Sequence, residues 1–216
     1  MRPFNRFDRF KHKWKGVLMN RGKLNQVSLL LIIISLTTLS GCGDKGTEPS
    51  LADSYMPLKL GNKWYYSSYI HSTPPDSDKI TEVLEDVGIR KHRGIDFHII
   101  KRTFPLDAGI NPDTIYYASI GDNLYQLVVP GDKPEYVTTA AMFNIKVNGT
   151  FNYKSELLDY TVTNLGTDGD KIKFFYDALY AVDEEFTLVY QAGKGLYESL
   201  SNAWGVGRRL VRVELK

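Results

Sequence analysis

Three residues of one short segment, His92, Asp96 and His98, have side chains that could bind a metal ion. All three stand at even positions, so in a β-strand they would point to the same side of the sheet. Imidazole and carboxylate groups are ordinary zinc ligands. However, the cations among residues 90–93 would repel a metal ion, and apolar residues alternate with the three. We therefore predict a solvent-exposed strand face here and no metal site.

Other patterns of catalytic proteins are missing from this sequence or have a simpler structural explanation. No Gly-x-Ser-x-Gly segment provides a nucleophilic serine. The glycines at 193–195 and 205–207 lack the third glycine and the helix of a phosphate-binding loop. The carboxylates at 183–185 are typical of a charged strand edge, and the arginines among 208–212 of an exposed strand face. The sequence thus predicts no catalytic residue, no cofactor and no enzyme.

The only cysteine of the chain, Cys42, follows its most apolar segment. A basic stretch ends near Lys23, and the apolar residues 27–39 come next. This segment has 13 residues, whereas a helix that spans a bilayer needs about 20. The small residues Ser40 and Gly41 then precede the cysteine. This layout is typical of a secretory signal peptide, which we place at 1–41.

The four residues Leu39-Ser40-Gly41-Cys42 resemble the lipobox of bacterial lipoproteins. The resemblance implies a diacylglyceryl group on the Cys42 thiol, cleavage between Gly41 and Cys42, and fatty acyl chains such as palmitate as the anchor. Each buried CH₂ contributes about 0.8 kcal/mol, so two or three chains hold a protein stably at a membrane. In enteric bacteria an aspartate directly after the cysteine retains such proteins in the inner membrane. Gly43 stands there instead, which favours the outer membrane if the cell has one.

The charge of the chain is divided unequally between the leader and the rest. Residues 1–41 contain eight of the 27 basic residues but one of the 25 acidic residues. The remainder therefore has 19 basic and 24 acidic residues, a net charge of −5. A net-acidic domain lacks the basic surface of nucleic-acid-binding proteins, so we predict no nucleic-acid partner. Met19 begins a shorter leader, and the start at Met1 or Met19 stays open.

Strand patterns fill the chain from Lys63 onwards. Tyr, Phe, Trp, Val, Ile and Thr are frequent, and these residues favour strands. A first strand is predicted at Lys63 to Ile70, after Pro57 and the Gly61-Asn62 pair. Apolar residues then alternate with polar ones, which predicts one buried and one wetter face. The alternating sets are 95/97/99, 158/160/162, 172/174/176, 186/188/190 and 211/213/215.

Turn sequences separate these strands. Gly121-Asp122, Asn148-Gly149 and Asp168-Gly169 each lie between two apolar runs and are typical of hairpin turns. The sequence therefore predicts an all-β, antiparallel, mostly meandering domain of about nine or ten strands. Barrel, half-barrel and sandwich stay open. We predict a flexible lipidated tether at 42–54 and a single β domain at 55–216.

The segment MPLKLGNKWYY, residues 56–66, is similar to the opening of a group of uncharacterised β-rich bacterial envelope lipoproteins. Their pattern is Pro-Leu-aliphatic-Gly-Asn-x-Trp-x-Tyr, here PLKxGNxW. Their C-terminal part has a Gly-aliphatic-Gly turn after an aromatic strand, and residues 188–199 are similar, with Lys194 at the aliphatic position. The resemblance implies a secreted β-rich domain and no particular activity.

The aromatic residues of the first strand suggest a binding face. Trp64, Tyr65, Tyr66 and Tyr69 would place rings on both faces, and the face outside the core could stack on sugars or line a groove for an acyl chain. We therefore predict a lipid-anchored cell-envelope protein with a non-catalytic binding or scaffolding domain. The alternative is a carrier or chaperone of an apolar ligand, such as a lipid or an acylated protein. The expected partners are the membrane, through the anchor, and an envelope protein, glycan or lipid.

Overall fold

The computed structural model describes residues 49–70, 73–106, 109–181 and 183–216. They belong to one compact unit, Glu48–Lys216. The predicted signal peptide, the lipobox with its cleavage site and Cys42 lie outside the described residues. The description that follows concerns this unit.

The described ranges form one short helix and 12 strands. Helix α1 is Leu51–Tyr55. The strands are β1 Lys63–Ile70, β2 Glu82–His92, β3 Ile95–Thr103, β4 Asp113–Ile120, β5 Asn123–Val128, β6 Tyr136–Met142, β7 Thr150–Lys154, β8 Asp159–Asp168, β9 Lys171–Ala178, β10 Phe186–Gln191, β11 Gly195–Ser201 and β12 Val206–Glu214.

All 12 strands lie in one antiparallel sheet with the order β6-β5-β4-β3-β2-β1-β12-β11-β10-β9-β8-β7. Two six-stranded meanders, β1 to β6 and β7 to β12, are joined by pairing of the first and last strands. The predicted all-β antiparallel meander is confirmed, and the first strand has the predicted bounds. The number of strands is 12 rather than nine or ten, and the sheet curls into a nearly closed barrel.

The two end strands of the sheet meet at a seam, formed by residues 136–142 of β6 and 150–155 around β7. Hydrogen bonds between side chains and the backbone cross this seam. The Lys154 amide donates to Thr138 Oγ1 at 3.0 Å, and the Tyr136 hydroxyl donates to the Ser155 carbonyl at 2.6 Å. The Asn148-Gly149 turn leads from β6 to β7 and so does not make the predicted hairpin. The other two predicted hairpin turns are present.

Five of the strand pairs contain a register shift. Such bulges increase the local twist and bend, which a sheet needs in order to close. In β12 the shift places Leu210 opposite Tyr66 and removes Val211 from the pairing. As a result Leu210 and Val213, three positions apart, both contact the core. The predicted common face of 211, 213 and 215 is therefore wrong: the bulge takes Val211 out of the alternation, and Leu215 lies beyond the end of β12, where it is exposed.

The core fills the inside of the barrel and is largely aromatic. Phe174, Tyr176 and Tyr190 are buried there, as the alternation of β9 and β10 predicts. A second, smaller cluster around Phe97 lies on the other face of β3 to β5. Ile100 of the same strand belongs to the main core, and residues three apart in a strand face opposite ways. The prediction of one buried face for β3, through 95, 97 and 99, is thus incomplete, because both faces are covered.

Helix α1 lies across one end of the barrel interior. It contacts β4 and β5 on one side and β11 on the other. Ser50 caps the helix by accepting a bond from the Asp53 amide at 3.1 Å. Ala52 and Met56 are buried in the main core. The helix therefore packs residues that belong to the predicted tether. No helix of the described residues is long and apolar enough to cross a membrane.

Candidate ligand-binding cavity

A cavity of about 330 Å³ lies inside the barrel. Its volume is within the usual range for small-molecule sites, about 300–1,000 Å³. Thirteen residues from β3 to β7 and β9 to β12 line it. They are Arg102, Ile115, Tyr117, Gln126, Ala140, Tyr153, Tyr176, Phe186, Leu188, Tyr190, Leu196, Ser199 and Arg208.

Aromatic rings form much of the cavity wall and support one another. Tyr176 and Phe186 stack with ring centroids 4.5 Å apart and an interplanar angle of 11°. Tyr153 meets Tyr176 edge to face at 5.7 Å. Tyr176 and Phe186 pair directly on the neighbouring strands β9 and β10, and Tyr153 reaches Tyr176 from β7, two strands away in the sheet. Because each ring is held by its neighbours, the wall keeps its shape without a ligand.

The tyrosine hydroxyls around the cavity stay protonated at neutral pH. Burial raises the pKa of Tyr117, Tyr153, Tyr176 and Tyr190. The Tyr176 hydroxyl donates to the Ala140 carbonyl at 2.5 Å, and the Tyr153 hydroxyl donates to Gln126 Oε1 at 3.0 Å. The wall therefore combines apolar rings with neutral hydrogen-bonding groups.

Two arginines enter the lining, and each is held by a carboxylate. Arg208 bonds Glu82 through Nη1, and its guanidinium lies 5.1 Å from the ring centroid of Tyr66. Arg102 binds Asp113 with two bonds, from Nε at 2.7 Å and from Nη2. The hydrogen bond to Asp113 raises the pKa of Arg102. Both guanidinium groups are thus fixed in position as permanent cations.

The lining has the chemistry of a binding site. Both arginines line the cavity, whereas their partners Glu82 and Asp113 do not. Among the lining residues there is no carboxylate, histidine or cysteine. Arg208 and Arg102 also act on Tyr117, where they oppose the larger effect of burial on its pKa. Both cations and Tyr117 line the same cavity.

The four aromatic residues of the predicted ligand face are divided between the two sides of the sheet. Trp64 and Tyr66 are 0% exposed in the main core, where they donate to the carbonyls of Lys194 and Leu196, both at 2.7 Å. Tyr65 stacks with Arg212 on the other side of the sheet. Tyr69, on the same side as Tyr65, bonds Glu198 at 2.5 Å. The structure brings no common face together from these four residues, and their role in binding stays a prediction.

The three candidate metal ligands have separate partners. His92 Nδ1 lies 3.1 Å from Glu135 Oε2, and His98 Nδ1 lies 2.6 Å from Asp86 Oδ2. Asp96 is 3.9 Å from the Lys91 ammonium. In the part of the chain that the structure describes, no group of three or more potential ligands could hold a metal ion.

Sequence reasoning did not identify the cavity, although one of its signals was available. Arg208 stands two residues before the buried Leu210, and Arg102 two residues after the buried Ile100. In a strand this spacing puts each arginine on the inward face. An arginine at an inward position of a barrel needs a partner or a cavity, which is the signal that could have been used.

Comparisons with known proteins add little to this geometry. No protein-family model matches the chain, and no curated protein matches it. Among solved structures, the chain is similar to a protein named "putative lipoprotein" from Parabacteroides distasonis ATCC 8503, at 11% identity and a TM-score of 0.38. The match covers 74% of this chain and 98% of that one.

Proposed function

We propose that this protein is a lipid-anchored, non-catalytic binding protein of the cell envelope and that its barrel carries a small ligand with an apolar body. The cavity inside the barrel is the observation that supports this function. Protein interiors are close-packed, with few voids larger than a water molecule. A space of about 330 Å³ inside the barrel, lined by aromatic residues of the core, therefore favours a carrier over a domain selected for packing alone.

The membrane anchor in this proposal is the lipid on Cys42, with cleavage between Gly41 and Cys42. The anchor would hold the barrel at the membrane surface, on the outer membrane if the cell has one. Replacement of Cys42 by Ala removes the thiol that accepts the lipid. We expect Cys42→Ala to move the protein from the membrane fraction to the soluble or precursor fraction and to abolish labelling by radioactive palmitate. Unchanged labelling would overturn the anchor.

The cavity is tested by native mass spectrometry of residues 44–216, which contain the whole compact unit. Protein purified gently from the periplasm is expected to carry an adduct of small-molecule mass that is released on denaturation. Ser199→Phe places a ring in the cavity and should remove the adduct. Ser77→Phe, at an exposed position, is the control and should keep it. A clean protein mass for the unaltered chain would argue against a tightly bound ligand.

A scaffold that binds through the outside of the barrel is the second candidate. This candidate is supported by exposed or half-exposed cations that stack on tyrosine rings at the outer surface. Arg212 lies 3.9 Å from the Tyr65 ring centroid, and Lys171 lies 3.9 Å from that of Tyr197. Crosslinking in cells distinguishes the two functions. A crosslinked envelope protein that is lost with Arg212→Gln and retained with Ser199→Phe would favour the scaffold.

A further inference from the structure

We infer that the ligand of the cavity carries an acidic head group, which Arg102 and Arg208 bind while its apolar body packs against the aromatic wall. This inference rests on the proposed function, because it assigns a ligand class to the same cavity. The shared chemistry is that of an organic anion: a carboxylate, sulfonate or phosphate on an apolar body. The observation that leads to it is the convergence of two guanidinium groups on one cavity.

The two arginines come from strands that are not neighbours. Arg102 lies on β3 and Arg208 on β12, and β2 and β1 stand between these strands in the sheet. Their registers connect them: Arg102 is opposite Leu84 on β2, and Arg208 is opposite Ser68 on β1. These four residues all lie on the inward face of the sheet. Curvature of the sheet therefore brings the two cations toward each other across the cavity.

Each guanidinium keeps hydrogen-bond donors for a ligand. A guanidinium has five N–H groups in a planar fork, which matches the oxygens of a carboxylate or phosphate. The bonds to carboxylates of the described residues use Nη1 of Arg208, and Nε and Nη2 of Arg102. Donors therefore remain on Nε and Nη2 of Arg208 and on Nη1 of Arg102. A neutral ligand would leave them without a charged acceptor, and a cationic ligand would be repelled.

The positive lining is a local feature. From Cys42 onward the chain has more acidic than basic residues. The cavity nevertheless has two cations and no carboxylate in its lining. The carboxylates Glu82 and Asp113 pair with the two guanidinium groups and are not themselves among the residues that line the cavity. This arrangement is that of an anion site with supporting residues.

Two fluorescent probes with the same ring system test the inference. 8-Anilinonaphthalene-1-sulfonate carries an anionic group, and N-phenyl-1-naphthylamine lacks it. Both become brighter in apolar surroundings, so each can be titrated into residues 44–216 without detergent. We expect the sulfonate to bind at least about tenfold more tightly than the neutral probe, a difference of about 1.4 kcal/mol. A higher salt concentration should weaken the binding of the sulfonate and leave the binding of the neutral probe unchanged.

Variants locate the effect at the two arginines. Arg102→Gln removes one cation from the lining. The paired change Arg208→Gln with Glu82→Gln removes the other without leaving an unpaired buried carboxylate. Each change is expected to weaken the affinity for the sulfonate about tenfold and to leave the affinity for the neutral probe unchanged. Lys101→Gln, which removes an exposed cation from the outer face of β3 next to Arg102, is the matched control and should change neither affinity.

The possible results separate the inference from the function on which it rests. Equal affinity for both probes, or a sulfonate affinity that the arginine variants leave unchanged, would overturn the acidic ligand while the cavity keeps its binding function. Failure of both probes to bind the unaltered protein would overturn the binding function and the inference together. Unchanged thermal unfolding of the variants shows that a weaker sulfonate affinity comes from the lost cation.

Discussion

The hydroxyl of Tyr176 on β9 donates a 2.5 Å hydrogen bond to the carbonyl oxygen of Ala140 on the end strand β6. Ala140 is the extra residue of a bulge, because Leu124 pairs with Ala141 and Tyr125 with Thr139. The bulge leaves Ala140 outside the strand ladder, and a buried carbonyl without a partner is costly. A tyrosine of the second meander thus provides the hydrogen-bond donor for a buried carbonyl group in the end strand of the first.

This contact predicts the effect of Tyr176→Phe. The change removes the hydroxyl and leaves the Ala140 carbonyl buried without its partner, so we expect the free energy of unfolding to fall by about 1–3 kcal/mol. Urea unfolding measures the difference. Tyr180→Phe, at a residue that is 92% exposed, is the control and should change stability by less than about 0.5 kcal/mol. Equal effects of the two changes would mean that the hydrogen bond contributes nothing.

Two glycines of the β10–β11 turn separate backbone strain from steric contact. Gly193 and Gly195 both have positive φ, +72° and +98°. A Cβ at Gly195 would lie 2.8 Å from Nε1 of Trp64, whereas a Cβ at Gly193 meets nothing within 4 Å. Gly193→Ala is therefore expected to cost about 1 kcal/mol from strain alone.

Gly195→Ala should cost about 2 kcal/mol more, because the new methyl group must displace the buried indole. The hydrogen bond from the indole of Trp64 to the Lys194 carbonyl would be disturbed, so the fluorescence of Trp64 should also change. Urea unfolding followed by fluorescence records both effects. Equal stabilities of the two alanine variants would show that the turn can move away from the indole.

The ion pair of Arg208 and Glu82 predicts an asymmetric response to substitution. Glu82 is 5% exposed, so Arg208→Gln leaves a buried carboxylate without its cation, and we expect a loss of about 3 kcal/mol. Adding Glu82→Gln removes this charge and should restore much of the stability. Denaturant unfolding of the single and paired variants measures the recovery. A paired variant no more stable than the single one would contradict this account.

The buried tyrosines predict a loss of stability in alkali. Burial raises the pKa of Tyr117, Tyr176 and Tyr190, and burial with the bond to Glu198 raises that of Tyr69 to about 12. A raised pKa favours the protonated form in the folded state. The stabilisation is therefore complete below about pH 10, the ordinary pKa of tyrosine, and is lost as the pH rises toward the folded values.

Each such tyrosine should contribute up to about 1.4 kcal/mol of lost stability per pH unit above this point. Urea unfolding at a series of alkaline pH values measures the slope. In Tyr176→Phe one titrating group is missing, so the slope should fall by the contribution of one proton. A free energy of unfolding that is independent of pH above about pH 10 would contradict the burial of these hydroxyls.

Local patterns in the sequence determined the class of fold and the position of several elements. The first strand has its predicted bounds because Gly61 and Asn62 precede a run of strand-forming residues. The predicted turns at Gly121-Asp122 and Asp168-Gly169 join paired strands, as their residue types indicate. The alternation in β9 and β10 correctly identified the residues of the core. The strand β6, with its run Thr-Thr-Ala-Ala, shows no clear alternation, so its sequence does not predict a strand and the predicted number of strands is too low.

Closure of the sheet and the cavity were decided by the tertiary structure. Alternation says which residues share a face, but a single bulge reverses that assignment, as at Val211 in β12. Alternation also does not say which distant faces of the sheet meet. Arg102 and Arg208 line one cavity because the two meanders are joined through β1 and β12 and the sheet curls back to its own edge. The sequence by itself thus determined strands and their local turns, whereas long-range pairing and curvature determined where the cations and rings converge.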